Sequence, residues 1–276
     1  MRFCFCLLVL LSFNINALEL TFGVYAADKP TLVVNQFRPI LDVLEVSLSR
    51  KLNQDTRIKL SVASNYEKGI KELVDGKVDF YRLGPASYIE SKRRNSGIKI
   101  LAIESFRGEK HFNGIICIPA SSNLNSLAEL KNKRFAFGNE HSTIGRYLSQ
   151  LYLIQHGVNS SNLASYHYLG RHDKVGSAVA MGLYDAGALK ESSYNELLKS
   201  GHKLKPLVTF KVVTKPWVAR SGLEIKLQNA LQEALLEFDD IKTLAGLEKT
   251  GFLIGDDSDY EPIRLAMEKN TLFGGR

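Results

Sequence analysis

From Leu18 onward, short β-rich runs alternate with segments of helical periodicity, and this alternation restricts the possible folds more than any other feature of the chain. Leu20-Thr21-Phe22-Gly23-Val24 reads as a strand, and residues 37–52 read as an amphipathic helix with Ile40, Leu41, Leu44 and Leu48 on one face. The cycle then repeats. Residues 57–63 alternate like a strand, 66–74 are helical and stopped by Gly76, 78–83 form a short strand, and Pro85 restarts a helix over 85–94. Strands separated by helices of this length need crossover connections, which gives an α/β fold with a mainly parallel sheet flanked by helices.

Two apolar strands, 98–103 and 112–118, follow with no helix between them, and a fresh alternation begins after Pro119. This second series has strands at 133–137, 166–169, 184–188 and 204–210, with helices at 142–155, 172–181 and 191–198. Trp217-Val218-Ala219-Arg220 then gives one more strand, and helices follow at 225–238 and 260–269. A lone strand followed by helices cannot bury a sheet, so this strand is expected to return to the first series. The expected organisation is two lobes. Lobe one is discontinuous, residues 18–112 plus 214–276. Lobe two, residues 113–213, is inserted in it through two crossing segments. In open α/β sheets ligands settle outside the carboxyl ends of the strands, so the site is expected in the cleft between the lobes.

Residues 1–17 read as a secretory signal peptide. Arg2 precedes the apolar run Phe3-Cys4-Phe5-Cys6-Leu7-Leu8-Val9-Leu10-Leu11, and polar residues lead to the small Ala17, after which cleavage is expected. The run is too short for a membrane span of about 20 residues. No cysteine follows it closely, so a lipid tether is not expected. Cys4 and Cys6 leave with the signal. Cys117, within Gly114-Ile115-Ile116-Cys117-Ile118, then stands alone as a buried hydrophobe that cannot form an internal disulfide. The net charge of +7 raises nucleic acid as a partner, but the basic residues are scattered among acids. The densest run, Lys92-Arg93-Arg94, reads as a solvated helix end, where cations suit the macrodipole. No nucleic-acid partner is expected.

The sharpest site candidate is Phe137-Gly138-Asn139-Glu140-His141-Ser142-Thr143-Ile144-Gly145-Arg146, where a strand ends and a helix begins at a Ser-Thr pair. Ser142 and Thr143 can cap that helix, and their hydroxyls with the free N–H groups of its first turn form an anion seat. Ordinary capping would look the same. The Walker A spacing is missing, so no nucleotide phosphate is indicated. A second junction, Tyr168-Leu169-Gly170-Arg171-His172-Asp173-Lys174, presents His172, which can donate to an oxyanion. Two loops of the first series would face these. One carries Tyr66, and the other runs through Arg82, Leu83, Gly84 and Pro85, where a glycine admits close approach of the backbone and proline suits a helix start. Arg82 can equally be a packing or surface residue.

These segments resemble the phosphate, phosphite and phosphonate binding proteins of ABC transporters, which have the periplasmic-binding-protein type II fold. The resemblance spans about residues 20–260 and rests on Asn65-Tyr66-Glu67-Lys68-Gly69, Leu83-Gly84-Pro85-Ala86-Ser87-Tyr88, Asn139-Glu140-His141-Ser142-Thr143, Gly170-Arg171-His172-Asp173 and Asp185-Ala186-Gly187-Ala188. It implies an anion seat at Ser142 and Thr143, supported by His172 and by Tyr66 from the opposite lobe. Members that bind aminoalkyl phosphonates use acidic side chains for the ammonium, and Glu191 lies near the matching stretch. Leu83 stands where some relatives have an aromatic residue, and Ile144 where they have a third hydroxyl. Phosphite, phosphate and small alkylphosphonates therefore remain alongside aminophosphonates.

The expected function is a monomeric periplasmic carrier that closes on a phosphorus oxyanion and docks on the permease and ATPase complex of an ABC importer, with no cofactor and no metal. A sensor of the same fold that signals to a membrane receptor is the alternative. A phosphoester-processing enzyme using His172 and Ser142 is weakly supported, because the sequence has no metal-ligand constellation and no nucleophile elbow.

Overall fold

The computed structural model describes residues 17–26 and 30–274. The expected export signal therefore lies outside the described residues apart from Ala17. The first series gives β1 (Leu18–Tyr25), α1 (Pro30–Leu52), β2 (Thr56–Ala63), α2 (Tyr66–Val74), β3 (Phe80–Arg82), α3 (Pro85–Arg94) and β4 (Lys99–Ser105). The second gives β5 (His111–Pro119), β6 (Arg134–Phe137), α4 (Ser149–Gln155), β7 (Ser165–Tyr168), α5 (His172–Ala180), β8 (Ala186–Lys190), α6 (Glu191–Lys199) and β9 (Leu204–Val213). The chain closes with β10 (Pro216–Ala219), α7 (Ile225–Leu236), α8 (Ile241–Leu244), β11 (Gly251–Leu253) and α9 (Glu261–Lys269).

Two sheets result, ordered β11-β4-β10-β3-β1-β2 and β7-β6-β8-β5-β9. In the first, β1 runs parallel to β2 and β3, while β10 is antiparallel to both β3 and β4. Strands β1 to β4 therefore point one way, with β10 inserted against them. In the second, β6 is parallel to β7 and β8, and β5 is antiparallel to both β8 and β9. Because the parallel strands of each sheet end at one edge, the helices that follow them start along that edge.

Helix α1 begins seven residues before its sequence-based start and carries Pro39 in its interior. Burial outweighs the lost backbone donor: Val33 and Phe37 are buried with Ile40, Leu41, Leu44 and Leu48 in one cluster. In the same cluster Phe22 stacks on Trp217 at 4.6 Å and meets Phe80 at 5.0 Å, which fixes β10 against β1 and β3 through side chains. Strand β11 was not legible in the sequence, because three residues are too short to show alternation.

The segments 106–110 and 214–215 cross between the sheets, and the chain bonds to itself there. The Thr214 N–H donates to the Lys110 carbonyl at 2.8 Å, and the Glu104 N–H donates to the Lys215 carbonyl at 3.1 Å. The turn Asn270–Phe273 packs on the second sheet: Phe273 meets Phe137 and Tyr166 edge-on at 5.5 and 5.6 Å.

Candidate functional site

Helix starts follow the carboxyl ends of the parallel strands in both sheets. After β2 and β3 come α2, whose first residue is Tyr66, and α3, whose N-cap is Gly84. After β6, β7 and β8 come the helical turns opening at Thr143, then α5 opening at His172 and α6 opening at Glu191. Each start has first-turn N–H groups without intrahelical partners and the positive end of a dipole. Ser142, Thr143, His172 and Tyr66 are 3, 5, 5 and 5% exposed, so these polar groups face protein rather than bulk water.

The Ser-Thr junction is built by backbone contact. Ser142 is the N-cap, and its Oγ accepts the Gly145 N–H at 2.9 Å. Its carbonyl accepts both Arg146 N–H at 3.0 Å and Tyr147 N–H at 3.3 Å, so residues 143–148 wind as wide π-helical turns before α4. Gly138 at the end of β6 donates its N–H to the Gly145 carbonyl at 2.8 Å. A Cβ on Gly145 would lie 2.7 Å from the Gly138 Cα, so only a glycine pair lets the helix start sit on the strand end. The Leu169 and Gly170 N–H groups bond the Phe137 and Gly138 carbonyls at 3.0 Å each, which carries the loop before His172 alongside.

From the other sheet, the Ala86 N–H in the first turn of α3 donates to Thr143 Oγ1 at 2.9 Å. One helix start is thus capped by a hydroxyl from the facing one. Tyr25, at the end of β1, accepts the Gly84 N–H at 2.6 Å and donates to Ser87 Oγ at 3.1 Å, which in turn reaches the His141 carbonyl at 3.4 Å. The Tyr66 ring stacks on Tyr25 at 4.0 Å. Burial raises the Tyr25 pKa despite these bonds, so the phenol stays protonated. Glu67 also spans the gap, 3.3 Å from His141 Nε2, and the Arg94 guanidinium holds its carboxyl below the usual carboxylate range.

The nine candidate residues are therefore distributed unequally. Ser142, Thr143 and Gly84 adjoin directly, with Tyr66 joined to them through Tyr25. His172 opens the helix after the neighbouring strand. Leu83 and Ile144 are core residues: Leu83 is fully buried, and Ile144 packs where a Cβ on Gly114 would meet it at 3.1 Å. Arg82 and Glu191 line a separate cavity of about 50 Å³. There Arg82 binds the buried Glu104 through Nε and, at 3.0 Å, through Nη2, while Glu191 accepts from Asn113 Nδ2 at 3.0 Å. Burial opposes ionisation of Glu104, yet the Arg82 charge holds its pKa below the usual value. Sequence reasoning missed Tyr25, Ser87 and His141. The available signal for Tyr25 was its place at the carboxyl end of a parallel strand.

Among the described residues no group of three or more His, Cys, Asp or Glu side chains could hold a metal ion. Among the same residues no helix is long and apolar enough to cross a membrane.

Residues 22–260 match the family described as ABC transporter, phosphonate, periplasmic substrate-binding protein. A probable ABC transporter phosphite binding protein, PhnD1 of Prochlorococcus marinus (strain MIT 9301), is 26% identical over 207 residues, covering 70% of this chain and 69% of that one. The structure of PhnD1 from the same organism in complex with methylphosphonate superposes with a TM-score of 0.81 at 23% identity, over 93% of this chain and 99% of that one. A binding protein component of an ABC phosphonate transporter from Pseudomonas aeruginosa gives 0.80 at 20% identity, over 93% and 87%. The two-sheet fold with helix starts at the facing edges is thus that of periplasmic binding proteins, and the chain belongs to the phosphonate-binding family of ABC transporter periplasmic substrate-binding proteins.

Proposed function

We propose that this chain is a periplasmic receptor that captures a phosphorus oxyanion, namely a phosphonate, phosphite or phosphate, and delivers it as a monomer to the permease and ATPase of an ABC importer. Residues 1–17 direct its export. Lobe one is 18–112 plus 214–276, lobe two is 113–213, and the crossing segments at 106–110 and 214–215 serve as the hinge. The phosphite and methylphosphonate named for the Prochlorococcus protein support this ligand class.

The carrying observation is the Ala86 N–H to Thr143 Oγ1 bond between facing helix starts. A tetrahedral oxyanion offers several acceptors, and in this reading helix starts on both sides supply the donors. First-turn N–H groups and the hydroxyls of Ser142 and Thr143 replace its water on one side, and His172 completes that side. Tyr66, held against Tyr25, closes from the other. Contacts made from both lobes favour the closed form, so ligand binding shifts the hinge equilibrium toward it. The carrier neither makes nor breaks a bond in its ligand.

Calorimetric titration with phosphate, phosphite, methylphosphonate and 2-aminoethylphosphonate tests the reading. Replacing Ser142→Ala with Thr143→Ala removes two charge-assisted bonds of about 1.5–3 kcal/mol each, so affinity should fall at least about a hundredfold. The lost cap costs about 1 kcal/mol of stability, which leaves the fold intact. Unchanged affinity in that folded variant would refute the seat.

A further inference from the structure

Arg146 ends the segment that holds the Ser142 and Thr143 helix start, yet its side chain bonds to neither residue. Its Nη1 donates to the Glu140 carbonyl at 3.0 Å, and its Nε–H is enclosed without an acceptor. Among the described residues no carboxylate pairs with the guanidinium, and its Nη2 makes no bond. Two rings flank it instead. Its Cζ stands 5.0 Å from the centre of the Tyr147 ring and 5.9 Å from that of Tyr168. A half-buried cation with five N–H donors and one neutral acceptor is poorly satisfied by the protein itself.

Arg146 lines a cavity of about 350 Å³ with Tyr147, Gln150, Tyr168, Met267 and Asn270. That volume lies within the range of about 300–1,000 Å³ usual for small-molecule sites. Ser142, Thr143, His172, Tyr66 and Gly84 are not in its wall. The π-helical turns, α4 and the end of β7 form one side, and α9 with the turn after it forms the other. The polar groups are biased toward donors. Gln150 donates from Nε2 to the Tyr168 hydroxyl at 3.0 Å and accepts from Asn270 Nδ2 at its Oε1. The Tyr168 hydroxyl is thus an acceptor in that bond, and its own proton has no acceptor among the described residues. Burial raises the Tyr168 pKa, so the proton stays on the phenol. No acidic side chain lies in the wall among the described residues. Glu90 and Glu140 raise the Tyr147 pKa from outside the cavity, and Glu90 is taken up by Arg93 and Arg94.

We propose that this cavity is a binding site for a small monocarboxylate with an aromatic body. The carboxylate accepts from the Arg146 guanidinium and the Tyr168 hydroxyl, and the ring lies against the tyrosines and the Met267 thioether. One guanidinium balances one negative charge, which suits a carboxylate better than a dianion. The site is separate from the oxyanion function and does not depend on it.

Titrations of the purified chain with benzoate and phenylacetate, followed by NMR, test the site, with benzamide and benzylamine as neutral and cationic counterparts. At least one carboxylate should bind about tenfold or more tighter than either counterpart, the gain expected from charge-assisted bonds to a guanidinium. Arg146→Met should erase that preference. Arg146→Lys should keep part of it, because the charge survives while the planar fork is lost. Met267→Trp should block binding by filling the cavity, and methylphosphonate in excess should not displace the carboxylate. Carboxylates that fail to bind, or bind no better than benzamide, would overturn the proposal. So would a preference that survives in folded Arg146→Met or, where that variant does not fold, undiminished binding to Met267→Trp. Displacement by methylphosphonate would put the carboxylate in the oxyanion seat and refute a separate site.

Discussion

Gly145→Ala sets two effects of opposite sign against each other. In an unconstrained helix interior alanine is favoured over glycine by about 0.8–1.0 kcal/mol. Here the new Cβ would lie 2.7 Å from the Cα and 3.0 Å from the N of Gly138, so the obstacle is backbone and not the end of a flexible side chain. To regain an ordinary contact of 3.4 Å the helix start must move by about 0.7 Å, which strains the 2.8 Å bond from Gly138 N–H to the Gly145 carbonyl. Overpacking costs about 1–3 kcal/mol and a weakened hydrogen bond about 1 more, so the clash outweighs propensity. The net loss should be about 2 kcal/mol, or a Tm lower by about 4–8 °C in a protein of this size. The same shift moves Ser142 and Thr143 beyond the tolerance of about 0.5 Å within which a site works, and oxyanion affinity should drop at least about tenfold. Differential scanning calorimetry and titration calorimetry on one preparation read both effects. Gly176→Ala, whose Cβ would meet the movable Leu197 Cδ1, is the control and should cost less. A Gly145→Ala protein as stable as the parent, with equal affinity, would refute the glycine-pair account of the seat.

Glu104→Gln should cost about 3–5 kcal/mol in denaturant melts, because it leaves the Arg82 guanidinium without its buried partner; Arg82→Met with Glu104→Leu should lose less than either single change, and a simple sum of the two losses would contradict this. Since the folded Glu104 pKa lies below its unfolded value, near 4.3 for a free side chain, the pair's contribution is fully present above that value and is lost as pH falls through the depressed one. Burial pushes the Cys117 thiol up to about 12, so a thiol reagent at pH 8 should label it only after unfolding; rapid labelling of the native protein would contradict its placement in the core.

Periodicity made much of the fold legible, because the apolar faces of α1 and the helix stop at Gly76 are local properties of the chain. The Ser142-Thr143 helix start was legible for the same reason: a cap is specified by the residues on either side of it. His172 and Tyr66 were legible as a second helix start and a facing loop, and the family resemblance added their grouping in one seat and the ligand class. The sequence could not reveal that β10 enters between β3 and β4, which the packing of Trp217 on Phe22 helps to fix. Nor could it place Tyr25 beneath Gly84, or couple Ala86 to Thr143, partners 57 positions apart. Arg82 and Glu191 were ambiguous as isolated charges. Only the meeting of β3, β5, β8, the 214–215 segment and the turn before β11 brings them with Lys215 and Lys249 to one cavity wall, because charges from distant parts of the chain become neighbours only through the fold.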